Sequence, residues 1–155
     1  MKKLNRKRPA SGVELDHGGP TLVFLTVCTK NRSPWLASEV VHKQLRTVWA
    51  QARAWLVGRY VIMPDHVHLF VELNEAFEPF VELDAWVRYW KSQFSKRHSV
   101  NDHRWQADYW DRRLRREENF DEKWEYVRGN PVRHGLVLDE DEWPFQGEIA
   151  DLRWE

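Results

Sequence analysis

The sequence predicts an α+β domain in which helices pack on one face of an antiparallel β-sheet. The chain has 155 residues, the length of one compact domain. Four segments are rich in β-branched and aromatic residues, and three others repeat apolar residues at helical spacing. They follow the order strand, helix, strand, strand, helix, strand, helix. That order is typical of an α+β sandwich with antiparallel strands.

The first strand is predicted over residues 21–29, where β-branched and aromatic residues precede a turn-prone segment. Ser38 has the position of an N-cap for the first helix. Apolar residues then recur every three or four positions from Val41 to Leu56, which favours a helix. We expect this helix to end before Gly58.

A β-hairpin is predicted next, because two strand-like runs, 59–63 and 67–73, flank the turn-prone pair Pro64 and Asp65. A second helix is expected from about residue 79 to residue 97. Its apolar stripe consists of Leu83, Val87, Trp90 and Phe94.

The last predicted elements are a loop over residues 98–109, a fourth strand over 110–115 and a third helix over 117–128. The core-facing residues of this helix are Phe120, Trp124 and Val127. Gly129 and Pro131 are expected to end it.

Charge is distributed unevenly along the chain, although 24 basic and 24 acidic residues cancel. Residues 1–8 hold five basic and no acidic residues, and residues 86–116 hold nine basic and three acidic residues. Residues 137–155 hold seven acidic residues and one arginine. A basic surface and an acidic tail are expected, although a basic run is often only a solvated surface. The predicted parts are a flexible basic arm (1–20), one domain (21–146) and an acidic C-terminal tail (147–155).

Composition argues against a disulfide-bonded secreted protein and against a membrane-spanning protein. The single cysteine, Cys28, cannot form an internal disulfide, which fits a reducing compartment. No apolar run approaches the roughly 18 residues of a membrane span. We therefore expect a cytoplasmic protein without membrane partners.

The pair His66 and His68 is the sharpest local signal. If residues 67–73 form a strand, alternation places both imidazoles on the face opposite Val67 and Leu69. This spacing allows both side chains to reach one divalent ion. Surface histidines without a ligand are the alternative. Alternation would point Asp65 away from the pair, unless the turn at Pro64 changes the parity.

A second signal is Tyr126 in the third predicted helix. Tyr126 lies off the apolar stripe, so its hydroxyl is expected to be accessible. Asn130 lies four positions later and would share that face if the helix continued into Pro131. The alternative is an ordinary surface tyrosine.

Four segments together resemble one family, the REP-associated tyrosine transposases, a branch of the bacterial single-tyrosine HUH transposases and endonucleases. These segments are 26–32, 61–71 with His66-Val67-His68, 105–112, and 126–135 with its Asn-Pro-Val-Arg-His-Gly block. They occur in the family's order over roughly residues 20–146. Several motifs in the right order are far more specific than any one of them.

The resemblance implies a ferredoxin-like α+β fold of the insertion-sequence transposase type. It implies that His66 and His68 bind Mg²⁺ or Mn²⁺, and that Tyr126 is the catalytic nucleophile. Asn130 is then a third metal ligand or a positioning group. Related insertion-sequence transposases have Gln at the position of Asn130, and the Gln side chain is one methylene longer.

The implied reaction cleaves and rejoins single-stranded or hairpin-bearing, REP-like DNA through a 5′-phosphotyrosine. A phenol is a weak nucleophile at neutral pH, so a nearby cation is needed to stabilise the developing charge. The cation also polarises and orients the phosphate. The covalent bond retains the capacity to rejoin the DNA to another strand.

Basic and aromatic residues interleave over residues 86–116, as suits single-stranded DNA. Trp90 lies on the apolar stripe and is assigned to the core. The residues expected to contact DNA are Arg112, Arg113, Arg115 and Arg116, together with Lys91, Arg97 and Arg104.

Two other functions remain open from the sequence. One is a non-catalytic protein that binds single-stranded or hairpin DNA, although the tyrosine and both histidines are present. The other is a metal-dependent hydrolase that activates water. Either a monomer or a homodimer is compatible with the sequence.

Overall fold

The computed structural model describes residues 22–114 and 117–152. The strands are β1 (Leu22–Thr29), β2 (Trp55–Met63), β3 (His66–Leu73), β4 (Trp105–Leu114) and β5 (Gln146–Glu148). The helices are α1 (Glu39–Gln51), α2 (Leu83–His98), α3 (Glu117–Arg128) and α4 (Asn130–Arg133). Short 3₁₀ turns cover Lys30–Arg32 and Glu140–Glu142. The basic arm predicted over residues 1–20 lies outside the described residues.

Within these ranges the strands form one antiparallel sheet in the order β4-β1-β3-β2-β5. The predicted α+β fold with an antiparallel sheet is confirmed. The register places Cys28 opposite His66 and Thr26 opposite His68 on the interior strands β1 and β3. Both histidines therefore lie on the central strand, next to the turn that joins β2 and β3.

The two faces of the sheet are covered differently. The helix face packs against α1 and α2, and its buried residues include Val67, Leu69 and Val71 of β3 with Trp49, Trp86 and Trp90 of the helices. The site face carries Phe24 and Phe70, which pack with Phe120 and Val127 of α3. The helices were expected on one face, which describes α1 and α2, whereas α3 lies on the other. Apolar side chains on both faces require this second cover.

The first helix is shorter than predicted. It ends at Gln51, and Trp55 and Leu56 belong to β2. Trp55 pairs with Leu73 across the sheet, and its indole N–H donates to the Val81 carbonyl at 2.9 Å. Its apolar side chain matched the helical period because the helix face also buries β2. Gly58 lies inside β2, where a Cβ would be 2.7 Å from Leu152.

Strand β4 begins at Trp105, five residues earlier than predicted. Trp105 packs edge-on against Trp90 and Phe94, while much of the rest of the strand is polar and partly exposed. A partly exposed edge strand gives little apolar alternation, which explains the predicted loop. Helix α2 begins at Leu83 and not near Pro79, whereas α3 has the predicted bounds.

The C-terminal segment adds a strand that the sequence did not reveal. Strand β5 pairs with β2, with Arg59 opposite Glu148, and backbone hydrogen bonds continue through Ala150 to Val57. Leu152 is buried. The boundary expected at residue 146 therefore falls within β5. Among the described helices, none combines the length and apolar character needed to cross a membrane.

Candidate active site

Two imidazoles meet on the site face of β3. Because successive side chains alternate along a strand, His66 and His68 point to the same face. Their Nε2 atoms are 3.1 Å apart, and the two rings meet edge-on. Two nitrogens bound at right angles to one ion, at about 2.1 Å each, would be about 3.0 Å apart. The pair therefore has the spacing of two ligands of one metal.

The other ring nitrogen of each histidine has an oxygen partner. His66 Nδ1 lies 2.7 Å from an Asp65 carboxylate oxygen, which can only accept, so Nδ1 carries the proton. His68 Nδ1 lies 2.9 Å from the Thr26 hydroxyl, which can accept or donate. When Thr26 accepts, both Nε2 lone pairs are free for a metal. Such outer partners are typical of histidines that bind metals.

Both histidines favour the neutral form. Burial is the main cause that lowers the pKa of His68 from 6.5 to about 3, and the nearby charges of His66, Lys123 and Arg133 add to it. Burial also lowers the pKa of His66, more than the Asp65 carboxylate raises it. Neutral imidazoles are the form that binds metals.

Asp65 is held by Arg32 of the turn after β1, a contact that the sequence analysis did not identify. Asn31 and Arg32 have left-handed φ values of 59° and 55°, and Arg32 Nε donates to Asp65 at 3.1 Å. Arg32 Nη2 also approaches His66 Nδ1 at 3.4 Å. Burial alone would raise the pKa of Asp65, but hydrogen bonds from His66 and Arg32 lower it below 3.8. Asp65 therefore stays ionised and orients His66.

Helix α3 docks beside the histidines through aromatic and cationic contacts. Phe24 stacks on His68 with ring centroids 5.2 Å apart, and Lys123 Nζ lies 4.8 Å above the Phe24 ring. Phe120 meets Phe70 edge-on at 5.0 Å. These contacts bring the side of α3 that carries Lys123 over the site face, next to His68.

Tyr126 follows Lys123 by one helical turn and is 61% exposed, in agreement with the expected accessible position. The Arg133 guanidinium carbon lies 3.8 Å from the centre of the Tyr126 ring. Arg133 also donates to the Tyr126 carbonyl at 2.5 Å and to the side-chain oxygen of Asn130. Arg133 thus joins the tyrosine to the asparagine, and its charge reaches His68.

Asn130 is buried at the start of α4. The arginine contact identifies the oxygen of its amide, and a carbonyl oxygen keeps a second lone pair for another partner. Gly129 leaves room for this arrangement, because a Cβ there would lie 2.9 Å from Arg133 Nη1 and the guanidinium would have to shift. The sequence analysis did not single out Gly129 for this role, or Arg133 at all.

The predicted DNA-contacting residues are divided between surfaces. Arg112 is exposed on the site face opposite Phe24, whereas its neighbour Arg113 points to the helix face. Lys91 and Arg104 line a groove of about 330 Å³ with Lys30, Ser92, Ser95 and Trp105. Arg97 donates to Gln51 at 3.0 Å, away from this groove. Arg115 and Arg116 lie outside the described residues.

The donor set fits a metal only in part. Among the described residues, no group of three or more His, Cys, Asp or Glu side chains surrounds a possible ion position. Two imidazoles could bind one cation, with water in the remaining positions, and Asn130 is connected to them through Arg133. Mg²⁺ prefers oxygen ligands, so two imidazoles suit Mn²⁺ better.

An antiparallel sheet with paired central imidazoles, next to a helix with an accessible tyrosine, defines a class of DNA-processing protein. The model of the family "Transposase IS200 like" matches residues 22–128. The chain belongs to this family.

Individual relatives agree with that assignment. A REP-associated tyrosine transposase of Escherichia coli K12 is 28% identical over 132 residues, which cover 83% of this chain and 77% of the relative. A solved structure of a REP-associated tyrosine transposase bound to a REP hairpin has a TM-score of 0.71 and 26% identity. The match covers 94% of this chain and 82% of the chain in the solved structure. The resemblance predicted from the sequence motifs is confirmed.

Proposed function

We propose that this protein is a metal-dependent single-stranded DNA transposase and endonuclease that cleaves and rejoins hairpin-bearing, REP-like DNA. In this proposal Tyr126 is the nucleophile and forms a 5′-phosphotyrosine. Membership of the transposase family and the likeness to a hairpin-bound relative support the substrate class. The observation that carries the proposal is the pair of Nε2 atoms 3.1 Å apart beside the helix that bears Tyr126.

The metal would be held by His66 and His68, with Asn130 as the third ligand. When bound, Mn²⁺ or Mg²⁺ polarises the phosphate oxygens and orients the phosphate for in-line attack. Asp65 and Thr26 keep the two rings in the orientation that points both Nε2 atoms to one position.

The chain's own residues perform the other tasks. The Tyr126 oxygen attacks phosphorus and loses its proton, the bond from phosphorus to the 3′ oxygen breaks, and that oxygen gains a proton. Arg133 stacks on the tyrosine ring and restricts its orientation. Lys123 and Arg32 supply positive charge on two sides of the histidines, where the phosphate would lie.

The flanking DNA would cross cationic surface on both sides of the site. Arg112 lies on the site face, near enough to Lys123 for its charge to affect that amine. Lys30 is the first residue of the 3₁₀ turn and follows Thr29, whose backbone N–H donates to the Asp65 carbonyl at 3.0 Å. Lys30 leads into the groove with Lys91 and Arg104. Because Lys91, Ser92 and Ser95 belong to α2 on the helix face, a single strand bound in this groove would have to pass around the turn at Lys30 to reach the histidines on the site face.

The test is covalent capture. The protein is incubated with a hairpin-bearing oligonucleotide labelled on the 3′ side of the expected break, with Mn²⁺, Mg²⁺ or EDTA, and resolved on a denaturing gel. We expect a labelled adduct with either ion, stronger with Mn²⁺, and none in EDTA or for Tyr126→Phe. Tyr89→Phe is the matched control and should form the adduct.

Two results would contradict the proposal. Tight binding without an adduct in any metal would indicate the non-catalytic binding protein. Strand cleavage without an adduct, retained by Tyr126→Phe, would indicate a metal-dependent hydrolase.

A further inference from the structure

Trp110 lies in the same cross-strand row as the metal-site histidine. Thr26 of β1 pairs with His68 on one side and with Trp110 of β4 on the other. Residues directly opposite in an antiparallel sheet point to the same face. The Thr26 hydroxyl reaches His68 Nδ1, which confirms that this row points to the site face. The indole therefore stands two strands from His68, about 10 Å away across the sheet.

The Trp110 side chain is exposed and is not part of the packing that holds the described part of the fold together. Trp110 is 40% exposed, whereas Tyr109 beside it is buried on the helix face. Within the described part of the chain, Trp110 belongs to neither hydrophobic cluster. Phe120 and Val127 of α3 cover the part of the site face around Phe70. Trp110 offers its ring to solvent on the same face as the imidazoles.

Cations lie along the same edge of the site face. Arg112 follows Trp110 by two residues, so it shares this face and lies about 7 Å further along β4. It pairs with Phe24, over which Lys123 is placed. Asp111 between them points to the helix face. An aromatic ring followed by cations is the arrangement that binds a base together with its phosphate.

We propose that Trp110 is a stacking subsite for one nucleobase of the single strand next to the cleaved phosphate, with Arg112 bound to the adjoining phosphate. The proposal rests on the proposed function, because it takes single-stranded DNA as the ligand. It adds a residue that touches the substrate outside the histidines, Tyr126 and the groove of Lys91 and Arg104. Since any base has a stackable face, Trp110 contributes affinity and position but little sequence preference.

The test combines protein variants with single abasic sites. Oligonucleotides that carry the hairpin and flanking single strand each lack one base, and binding is measured in the Tyr126→Phe background to prevent cleavage. Trp110→Ala should weaken binding of the intact oligonucleotide about tenfold, as expected for one stacked base. Trp110→Phe should retain most of the affinity. Tyr89→Ala removes a similarly exposed aromatic ring from α2 and should have no effect.

The abasic series gives the decisive pattern. At one position, loss of the base should weaken binding by the parent protein, which retains Trp110. The same loss should not affect Trp110→Ala, so that the parent and the variant bind this abasic oligonucleotide equally. Equal affinity of Trp110→Ala and its parent for the intact strand would overturn the inference. So would a loss that is the same for every abasic oligonucleotide, or a Phe variant as weak as the Ala variant. Thermal unfolding of each variant excludes a folding defect as the cause.

Failure of the stacking subsite and failure of the proposed function give different results. If the adduct forms but the abasic series shows no such position, the stacking subsite is wrong and the nuclease proposal stands. If no adduct forms but the position-specific pattern is present, the subsite stands and the catalytic proposal is wrong.

Discussion

The two faces of the sheet contain the same strand, β3, and make opposite use of it. On the helix face, Val67, Leu69 and Val71 are fully buried against α1 and α2. On the site face, the Nε2 atoms of His66 and His68 lie 3.1 Å apart, bordered by cations and an accessible tyrosine. The difference teaches that one run of six residues can anchor the core and assemble a reactive site, because strand alternation separates the two tasks by one residue.

The hydrogen bonds of the two faces show the same division. The polar groups of the site face hold each other in orientation, through Asp65 with His66 and Thr26 with His68. The helix face relies on packing of large aromatic rings, among them Trp49 against Trp90 at 5.6 Å. Substitutions on the site face should change activity, and substitutions on the helix face should change stability.

The adjacent pair His68 and Leu69 gives the largest expected contrast. His68→Ala should abolish adduct formation and lower the free energy of unfolding by only about 1–2 kcal/mol, since the hydrogen bond with Thr26 and the stacking on Phe24 are lost. Leu69→Ala should lower the free energy of unfolding by about 2–5 kcal/mol because it leaves a cavity. Its folded fraction should still form the adduct. Urea unfolding and adduct yield are measured on both, and a large stability loss in both would remove the distinction.

Acid should destabilise the metal-free protein through its buried histidines. Burial lowers the pKa of His66 and His68, for His68 from 6.5 to about 3. Below pH 6.5 the unfolded chain binds protons that the folded chain does not, so stability is complete above 6.5 and decreases as pH falls. The decrease is up to about 1.4 kcal/mol per pH unit for each such histidine.

The contribution of His68 is isolated by comparison with His68→Gln in EDTA between pH 7 and pH 5, above the range of most carboxylates. The free energy of unfolding of the variant should fall less steeply. Identical pH profiles would show that His68 titrates alike in the folded and unfolded chains.

We expect substitutions of Arg133 and of Gly129 to affect the same property, the orientation of the Tyr126 ring. Arg133→Ala is expected to slow single-turnover adduct formation about tenfold with little change in DNA affinity, because the tyrosine ring loses its stacked partner. Gly129→Ala should act similarly, since its Cβ would displace the guanidinium. The helical backbone of Gly129, with φ −82° and ψ −4°, otherwise accepts alanine.

The double variant separates this coupling from two unrelated defects. It should be no slower than Arg133→Ala alone, whereas independent effects would multiply. Arg128→Ala is the control for lost charge, because Arg128 pairs with Glu140 and Asp141. Multiplicative rates in the double variant would contradict the assignment of Arg133 as a positioning residue.

Arg112 and Arg113 give the smallest but most closely matched contrast. They are sequence neighbours on opposite faces, so only Arg112 should contact DNA on the site face. Arg112→Ala should weaken binding and reduce the log-log salt slope by about 0.7, the value for one phosphate of a single strand. Arg113→Ala should leave the slope unchanged. Equal slope changes in both would place the DNA elsewhere.

The sequence predicted those parts of the structure that depend on short-range pattern. Alternation in β3 gave the shared face of His66 and His68, and the apolar stripe of α3 gave its bounds and the exposure of Tyr126. Trp55 was misassigned because a strand buried on the helix face can match a helical period by coincidence. Strand β5 has three residues, too few for any pattern.

The contacts that complete the site depend on tertiary structure. Arg32 reaches Asp65 from a turn in which two consecutive residues have left-handed φ values. Thr26 and His68 are 42 positions apart in the sequence, and the register of β1 with β3 brings them together. Alternation in the predicted strand 110–115 separates Arg112 from Arg113, but which of them shares the face of the histidines depends on the register of β4 with β1. Such relations follow from register and turn geometry, which single residues do not encode.

The most direct test of the central claim, that Tyr126 beside the histidine pair is the nucleophile, is the location of the covalent bond. Adduct formed in Mn²⁺ is digested with nuclease and trypsin and analysed by mass spectrometry. Cleavage after Lys123 and Arg128 releases the peptide Trp124-Glu125-Tyr126-Val127-Arg128. We expect the nucleotide on Tyr126 in this peptide. A nucleotide on a peptide that contains Tyr89, or on a histidine, would contradict the account.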